Sequence, residues 1–418
     1  MLDKMSVSRP NWIEIDLDHL TQNIASLKDW TNSNTTSSTQ ILLPVKADAY
    51  GHGIIACSAA AQKIGVSMLG VAHTFEAIPI RQYGIDLPIL VLGPTNPNAK
   101  AEIQQIFDYK LTATIEDLKT AQAISKLFHS KSQTCPIHIK LNTGMNRYGL
   151  DCKESTIKTV KAIWEIKQLK GITIEGVYTH LGHSEQPDSG ETIQQLNSFK
   201  QLIEELKEKH HWKPKWIHLS NSGATLHKLN PIGDYQNLIR PGLASYGYNP
   251  LYPEPTPIKL KPSLKLFASV RSIQPIKQGE KVSYGFKWQA EESGYTAAIS
   301  IGYGDGLPRN SKGGFLKIGK NSYPIVGTIC MDTVLVYLGT NIPKDVEVGS
   351  TVQVWNASKT PHSSLENWAA LSETIPYELC CGVARRLYRV YKWKNKHYKW
   401  HELKVKIGIK EPLFNTEF

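Results

Sequence analysis

"ILLPVKADAYGHGIIACSAAAQKIGVSMLGVA" (residues 41–72) holds a complete strand–helix–strand unit. Residues 41–45 are short and apolar, as a strand buried on both faces should be. Residues 54–65 place apolar side chains at helical spacing, and "VSMLGVA" (66–72) is a second buried run. Between the first strand and the helix stands Lys46, which aims an amine at whatever lies beyond the strand's end. Small, flexible residues and Tyr50 follow it.

The unit repeats along the chain. Further runs are "PILVLG", "KLTATI", "PIHIKLN", "ITIEGVYTH", "KWIHLS" and "NLIRPG", with helical spacing over 116–129, 154–169 and 191–209. Eight strand candidates, most followed by a helix candidate, predict an α/β fold with a (β/α)8 TIM-like barrel over residues 11–255. A doubly wound open sheet is the alternative, but no G-x-G-x-x-G opens a helix. "NPLYPEPTPIKLKP" (249–262) reads as a linker. Beyond it, β-branched runs broken by glycines, such as "YTAAISIGYGDG" and "YPIVGTICMDTVLVYLG", predict a C-terminal β-rich domain over 256–391. "NWIEIDLD" (11–18) is one more strand, able to pair with either domain. The polar stretch "TNSNTTSSTQ" (31–40) reads as a surface excursion.

Composition agrees with a folded, cytoplasmic protein. Of 418 residues, 41% are hydrophobic and 20% charged. Residues 1–12 lack a signal-peptide core, and no apolar run reaches membrane-spanning length. Six cysteines show no zinc spacing, which predicts reduced thiols and no metal. The net charge of +11 is uneven: residues 385–410 hold ten Lys/Arg and one acid, leaving the body nearly neutral. That balance argues against a nucleic-acid partner for the body. In the 392–418 extension, "LKVKIGIK" (403–410) alternates like an edge strand whose lysines block aggregation. The other reading is a nucleic-acid or acidic-membrane contact through Trp393, Tyr398 and Trp400.

The polar residues fall at strand C-terminal ends, where barrel enzymes build their sites. Lys46 ends the first run and Arg147 follows the fifth in "LNTGMNRYG". His180 ends the sixth, "SNSGA" (220–224) follows the seventh, and Arg240 ends the eighth in "IRPG". Asn221, Ser222 and Gly223 open a helix and offer N–H groups and a hydroxyl to an anion; Gly242 and Leu243 allow close backbone approach. Each residue alone has a plainer reading. Ser222 could be a helix cap, His180 a core histidine, Lys140 a barrel-interior charge, Tyr303 a turn aromatic and Met331 part of a core strand. Together, a strand-end lysine and a phosphate-type loop point to pyridoxal 5'-phosphate held on Lys46 as a Schiff base.

Nine motifs in order, "VKADAYGHG", "LNTGMNRYG", "YTHL", "HLSNSGA", "IRPGLASYG", "KVSYG", "IGYGDGLPR", "GTICMD" and "TIPYEL", resemble the alanine racemase family from about residue 11 to 391. The resemblance implies a barrel with a C-terminal β domain, in a homodimer whose active sites are shared between subunits. It implies racemisation of alanine, supplying D-alanine for peptidoglycan, with Lys46 and Tyr284 as bases on opposite faces of Cα. Tyr284 would come from the other subunit. Tyr50, Ser222, Gly242, Leu243 and Tyr377 would hold the phosphate, with Asn221 beside them at the cofactor, His180 would lie by the pyridine ring, and Arg240 would meet its nitrogen. Arg147 and the Met331 backbone would bind the substrate carboxylate, and Tyr303 and Arg309 would line the entrance. Lys140 matches a lysine carbamylated in some members. This chain departs from the family pattern at Asn142, where aspartate is frequent, and in its extension past Tyr391. A racemase of wider substrate range and a non-catalytic basic binding protein are the other readings.

Overall fold

The structure, a computed structural model, describes residues 10–33, 38–153, 155–311, 313–356 and 363–409. Its first strand, β1 (Trp12–Asp16), stays outside the barrel. The barrel is built from β2 (Gln40–Pro44), β3 (Met68–Val71), β4 (Ile89–Val91), β5 (Thr112–Ile115) and β6 (Cys135–Asn142). After a two-residue strand, β7 (Leu150–Asp151), which pairs with β6 off the main path, come β8 (Ile172–Tyr178), β9 (Trp216–His218) and β10 (Leu238–Ile239). The eight main strands run parallel in the order β10-β2-β3-β4-β5-β6-β8-β9. Asn237 donates to the Ile217 carbonyl at 3.2 Å and Arg240 to that of Ser220 at 2.8 Å, which draws β9 and β10 together and nearly closes the ring.

Each run expected from the sequence is a strand here, because its residues bury on both faces: Leu42, Leu43, Leu69, Ile89, Val91, Ala113, Ile137 and Ile139 are all 0% exposed. Helices Ile54–Lys63, Leu118–Ser130, Thr156–Lys167 and Gly190–Glu208 occupy the stretches with helical spacing. Their starts are set by caps: Asp117 accepts from the Thr120 amide and Ser189 from that of Thr192.

The second unit contains β11 (Leu264–Ile276), the hairpin strands β12 (Lys281–Val282) and β13 (Trp288–Gln289), then β14 (Gly294–Ile299), β15 (Phe315–Ile318), β16 (Asn321–Val326), β17 (Val334–Gly339), β18 (Thr351–Trp355), β19 (Tyr388–Trp393) and β20 (Lys396–Tyr398). Apart from the β12–β13 hairpin they form one sheet, ordered β14-β17-β16-β15-β18-β11-β1-β19-β20. Strand β1 pairs antiparallel with β11 and parallel with β19. It therefore belongs to this sheet, while the helix Leu17–Asn32 that follows packs on the barrel strands and ties the two units together.

The tail differs from its expected form. "LKVKIGIK" reads as a strand by its alternation, but Trp400–Lys406 is a helix and Lys410 lies outside the described residues. Leu403 and Ile407, four residues apart, are 0% and 2% exposed, so helical spacing fills a gap against the body that alternation would not. An added strand does exist, at β20. Two tail side chains reach acids at the start of the chain: Lys392 meets Asp16 at 2.8 Å and the His397 ring meets Glu14 at 3.0 Å. Of the polar stretch 31–40, residues 34–37 lie outside the described residues, as does the chain end from 410. Among the described residues no helix is long and apolar enough to cross a membrane.

Candidate active site

Lys46 stands at the end of β2, where the backbone does something costly. Ala47, Asp48, Ala49 and Tyr50 all have φ between +52° and +54°, a full left-handed turn without glycine. Each such residue costs about 1–2 kcal/mol relative to right-handed backbone. The turn persists because its polar groups are met. The Ala47 amide donates to Glu76 Oε1 at 2.7 Å, and the Ile54 amide to Asp48 Oδ1 at 2.7 Å. Glu76 is itself fixed by the amides of Ala72 and His73. Burial, followed by the Arg147 guanidinium, holds the Lys46 amine below its ordinary range, while Cys381 and Glu76 oppose the shift.

Beside Lys46 lies a polar cradle. Tyr50 is 6% exposed and its ring centroid is 5.9 Å from that of Tyr377, which arrives on the helix Pro376–Cys381 of the second unit. The Tyr377 phenol lies close enough to Ser222 for that hydroxyl to oppose part of its shift, and Ser222 Oγ accepts from the Ala244 amide at 3.1 Å. Burial raises the Tyr50 phenol and lifts Tyr377 to about 12, so both remain protonated donors at neutral pH. Gly242 must be glycine: a Cβ there would lie 2.5 Å from Tyr50 Oη. Asn221 is taken up in structure, since its Oδ1 caps the Ala224 amide and accepts from Ser184. Leu243 is fully buried behind the cradle.

Arg240 is 4% exposed and carries no carboxylate partner among its hydrogen bonds. Nη2 donates to the carbonyls of Thr179 and Leu219 and contacts His180 Nδ1 at 3.2 Å; Nη1 meets His218 Nδ1 at 2.7 Å. His218 Nε2 lies 2.9 Å from His138 Nδ1. Burial and the neighbouring guanidinium keep both imidazoles neutral, with His138 pushed down to about 3. Arginine can only donate, so the polarity is fixed: Arg240 gives to His218, and His218 gives to His138. The Tyr178 ring stacks on His218 at 4.6 Å and 3°, which holds the imidazole in plane. Burial lowers Arg240 itself to about 10, still protonated at neutral pH.

Lys140 is 3% exposed, 5.0 Å from the ring centroids of both Tyr148 and Tyr178, and lowered to about 6 by burial, Arg240 and Arg147. Arg147 is exposed and stacks on Tyr148 at 5.1 Å; its loop is shaped by Asn142, whose Oδ1 accepts from the Gly144 and Asn146 amides.

The remaining expected residues form a separate group on the second unit. Tyr284, Tyr303 and Met331 are 72%, 40% and 53% exposed, and Arg309 is exposed. The Tyr303 and Gly304 amides donate to the carbonyls of Cys330 and Met331, and the Tyr284 carbonyl accepts from the Thr328 side chain, Oγ1. The groups that act on the Lys46 amine are Arg147, Cys381, Glu76 and Arg240, none from this second group. Sequence reasoning missed His138, His218, Tyr178 and Glu76. The first two stand in "PIHIKLN" and "KWIHLS", and inward alternation with Lys140 was the available signal for His138.

The alanine racemase N-terminal domain family matches residues 15–250 and the C-terminal domain family residues 263–391; residues beyond 391 lie outside both. An alanine racemase of Methanococcus maripaludis is 33% identical over 389 residues, 92% of this chain and 99% of the relative. The solved alanine racemase of Clostridium difficile 630 superposes with a TM-score of 0.84 at 30% identity, covering 98% of this chain and 100% of that one. A histidine racemase from Leuconostoc mesenteroides, at 24% identity over 93% of this chain and 99% of its own, shares the fold with a TM-score of 0.80. Barrel, β domain and matched motifs all place this chain in the alanine racemase family.

Proposed function

We propose that the protein interconverts L- and D-alanine with pyridoxal 5'-phosphate, using Lys46 and Tyr284 as the two bases, and so supplies D-alanine for peptidoglycan. The observation that carries the proposal is the meeting of Lys46, the Tyr50–Tyr377–Ser222 cradle and the carboxylate-free Arg240 at one end of the barrel.

These residues fit the cofactor. Two phenols and a hydroxyl converge where the Gly242 backbone leaves room, as a phosphate requires. Tyr50, Ser222, Gly242, Leu243 and Tyr377 would hold that phosphate, and Lys46 would carry the aldehyde carbon. His180, kept neutral by burial beside Arg240, would lie against the ring. When bound, pyridoxal phosphate withdraws electrons from the amino acid joined to it and makes the Cα–H acidic.

The protein's own groups then move the proton. A single base tends to return a proton to the face it came from, so inversion is best served by bases on both faces. The lowered Lys46 amine spends more of its time neutral at physiological pH and can accept a proton on its face. Tyr284 stands out from its own chain, where a second copy can receive it; a homodimer with shared sites uses that exposure. Arg147, near Lys46, would take the substrate carboxylate with the Met331 backbone, and Tyr303 and Arg309 would line the entrance. Arg240 donates and keeps its proton, because its guanidinium is held by His218 and two carbonyls. Lys140, buried among two guanidiniums and lowered to about 6, is a neutral amine open to carbamylation by carbon dioxide. Six free thiols agree with a cytoplasmic location.

Racemisation measured on alanine, serine, lysine, arginine and histidine, with pyridoxal phosphate supplied, tests the proposal. Exchange of alanine's configuration well above the others supports it; no turnover on any of them overturns it.

A further inference from the structure

The left-handed turn after Lys46 is pressed from outside by the second unit. Arg389 Nη2, on β19, reaches Asp48 Oδ2 at 3.1 Å and the Gly51 carbonyl at 3.4 Å. Two residues on, the Tyr391 hydroxyl abuts Gly53, where a Cβ would lie 2.5 Å away. On the other side, Glu76 holds the Ala47 amide from the first turn of helix Thr74–Gln82, whose C-cap is Tyr83. The turn therefore has two supports, β19 and this helix.

The extension joins them. At Lys394 and Asn395 the chain reverses, with both amides donating to the Asp18 carboxylate at 2.8 Å. Strand β20 then pairs with β19, Tyr391 facing Tyr398, so that β19 is held on both edges. Helix Trp400–Lys406 folds back over the barrel, anchored by buried Leu403 and Ile407. Its first residue sits between the two supports: the Trp400 ring lies 5.8 Å from Tyr391 and 5.9 Å from Tyr83.

We propose that residues 394–409 are an intramolecular strap, in which Trp400 ties Tyr391 to Tyr83 and so positions the strained turn that carries Lys46. Trp400 is a positioning residue, acting through Tyr391, Arg389 and Glu76. The functional importance of the turn rests on the cofactor reading above; the mechanical role of the strap does not.

The test compares full-length Trp400→Ala and Trp400→Phe with wild type by hydrogen exchange of the segment 47–54 and by the Kd for pyridoxal phosphate. The amides of Ala47, Ala49, Gly51, His52, Gly53 and Ile54 are all hydrogen-bonded, so their exchange reports opening of the turn. Trp400→Ala should speed that exchange by about tenfold or more and weaken the cofactor by a similar factor, and Trp400→Phe should restore both. Faster exchange confined to 396–407, with 47–54 unchanged, overturns the strap. Should Trp400→Ala be recovered only as aggregate, Trp400→Leu keeps apolar volume and gives the same readout. Exchange is read whether or not wild type takes up pyridoxal phosphate, so a failure of the cofactor reading shows in the Kd alone.

Discussion

Arg240 Nη1 meets Nδ1 of His218 at 2.7 Å, and this bond directs everything behind it. Because His218 is neutral and accepts at Nδ1, its Nε2 must carry the proton given to His138. His138 Nε2, buried and without a hydrogen-bond partner among the described residues, ends the chain, and the donor-only guanidinium at its head allows a single proton arrangement.

Replacing His218 by Phe keeps a ring against Tyr178 but leaves the Arg240 guanidinium one acceptor short. Stability should fall by about 1–3 kcal/mol, the cost of an unpaired buried donor. Urea unfolding measures it, and an unchanged midpoint would show that His218 holds nothing.

Arg240→Glu places a proton-accepting carboxylate where the site now has only a donor. With pyridoxal phosphate and alanine, the keto acid formed per racemisation event should rise at least about tenfold. A coupled keto-acid assay beside the racemisation assay gives the ratio; equal ratios for variant and wild type would remove the role assigned to Arg240.

Lys46→Ala removes the amine and leaves the cradle. Wild type should absorb near ~420 nm and keep the cofactor after borohydride, whereas the variant should release it on denaturation and lose more than about 1,000-fold in turnover. Retention of a covalent adduct would assign the linkage to another residue.

Lys140 is held at about 6 in the folded chain against an ordinary 10.5. Between those values the unfolded chain binds a proton that the folded chain lacks, so stability rises with pH across the window and the full penalty is felt below about 6. From about pH 6.5 to 8.5 the wild type should gain stability that Lys140→Met does not, and added bicarbonate should widen the gap. Parallel urea midpoints for the two proteins would contradict this.

The barrel was legible because each strand is an apolar run whose neighbours are helices of regular spacing, and strand-end Lys46 and Arg240 stand out against that background. The left-handed turn was not. "ADAY" contains no glycine, and its backbone is imposed by Glu76 and Arg389, which lie 29 and 341 positions from the residues they hold. His138 and His218 were hidden for a different reason: a histidine in a core strand shows its partner only when two strands are brought side by side. In the tail, alternation competed with an i, i+4 pair, and the surface available to Leu403 and Ile407 decided for the helix.

In the proposed mechanism, Lys46 of one subunit and Tyr284 of another serve the same carbon. Lys46→Ala and Tyr284→Phe chains, each inactive alone, can be mixed and allowed to exchange subunits. If the bases come from different chains, hybrid dimers contain one intact site, and an equal mixture should recover about a quarter of wild-type racemisation. Activity that stays at the level of the separate variants, while hybrids are shown to have formed, would mean that both bases belong to one chain.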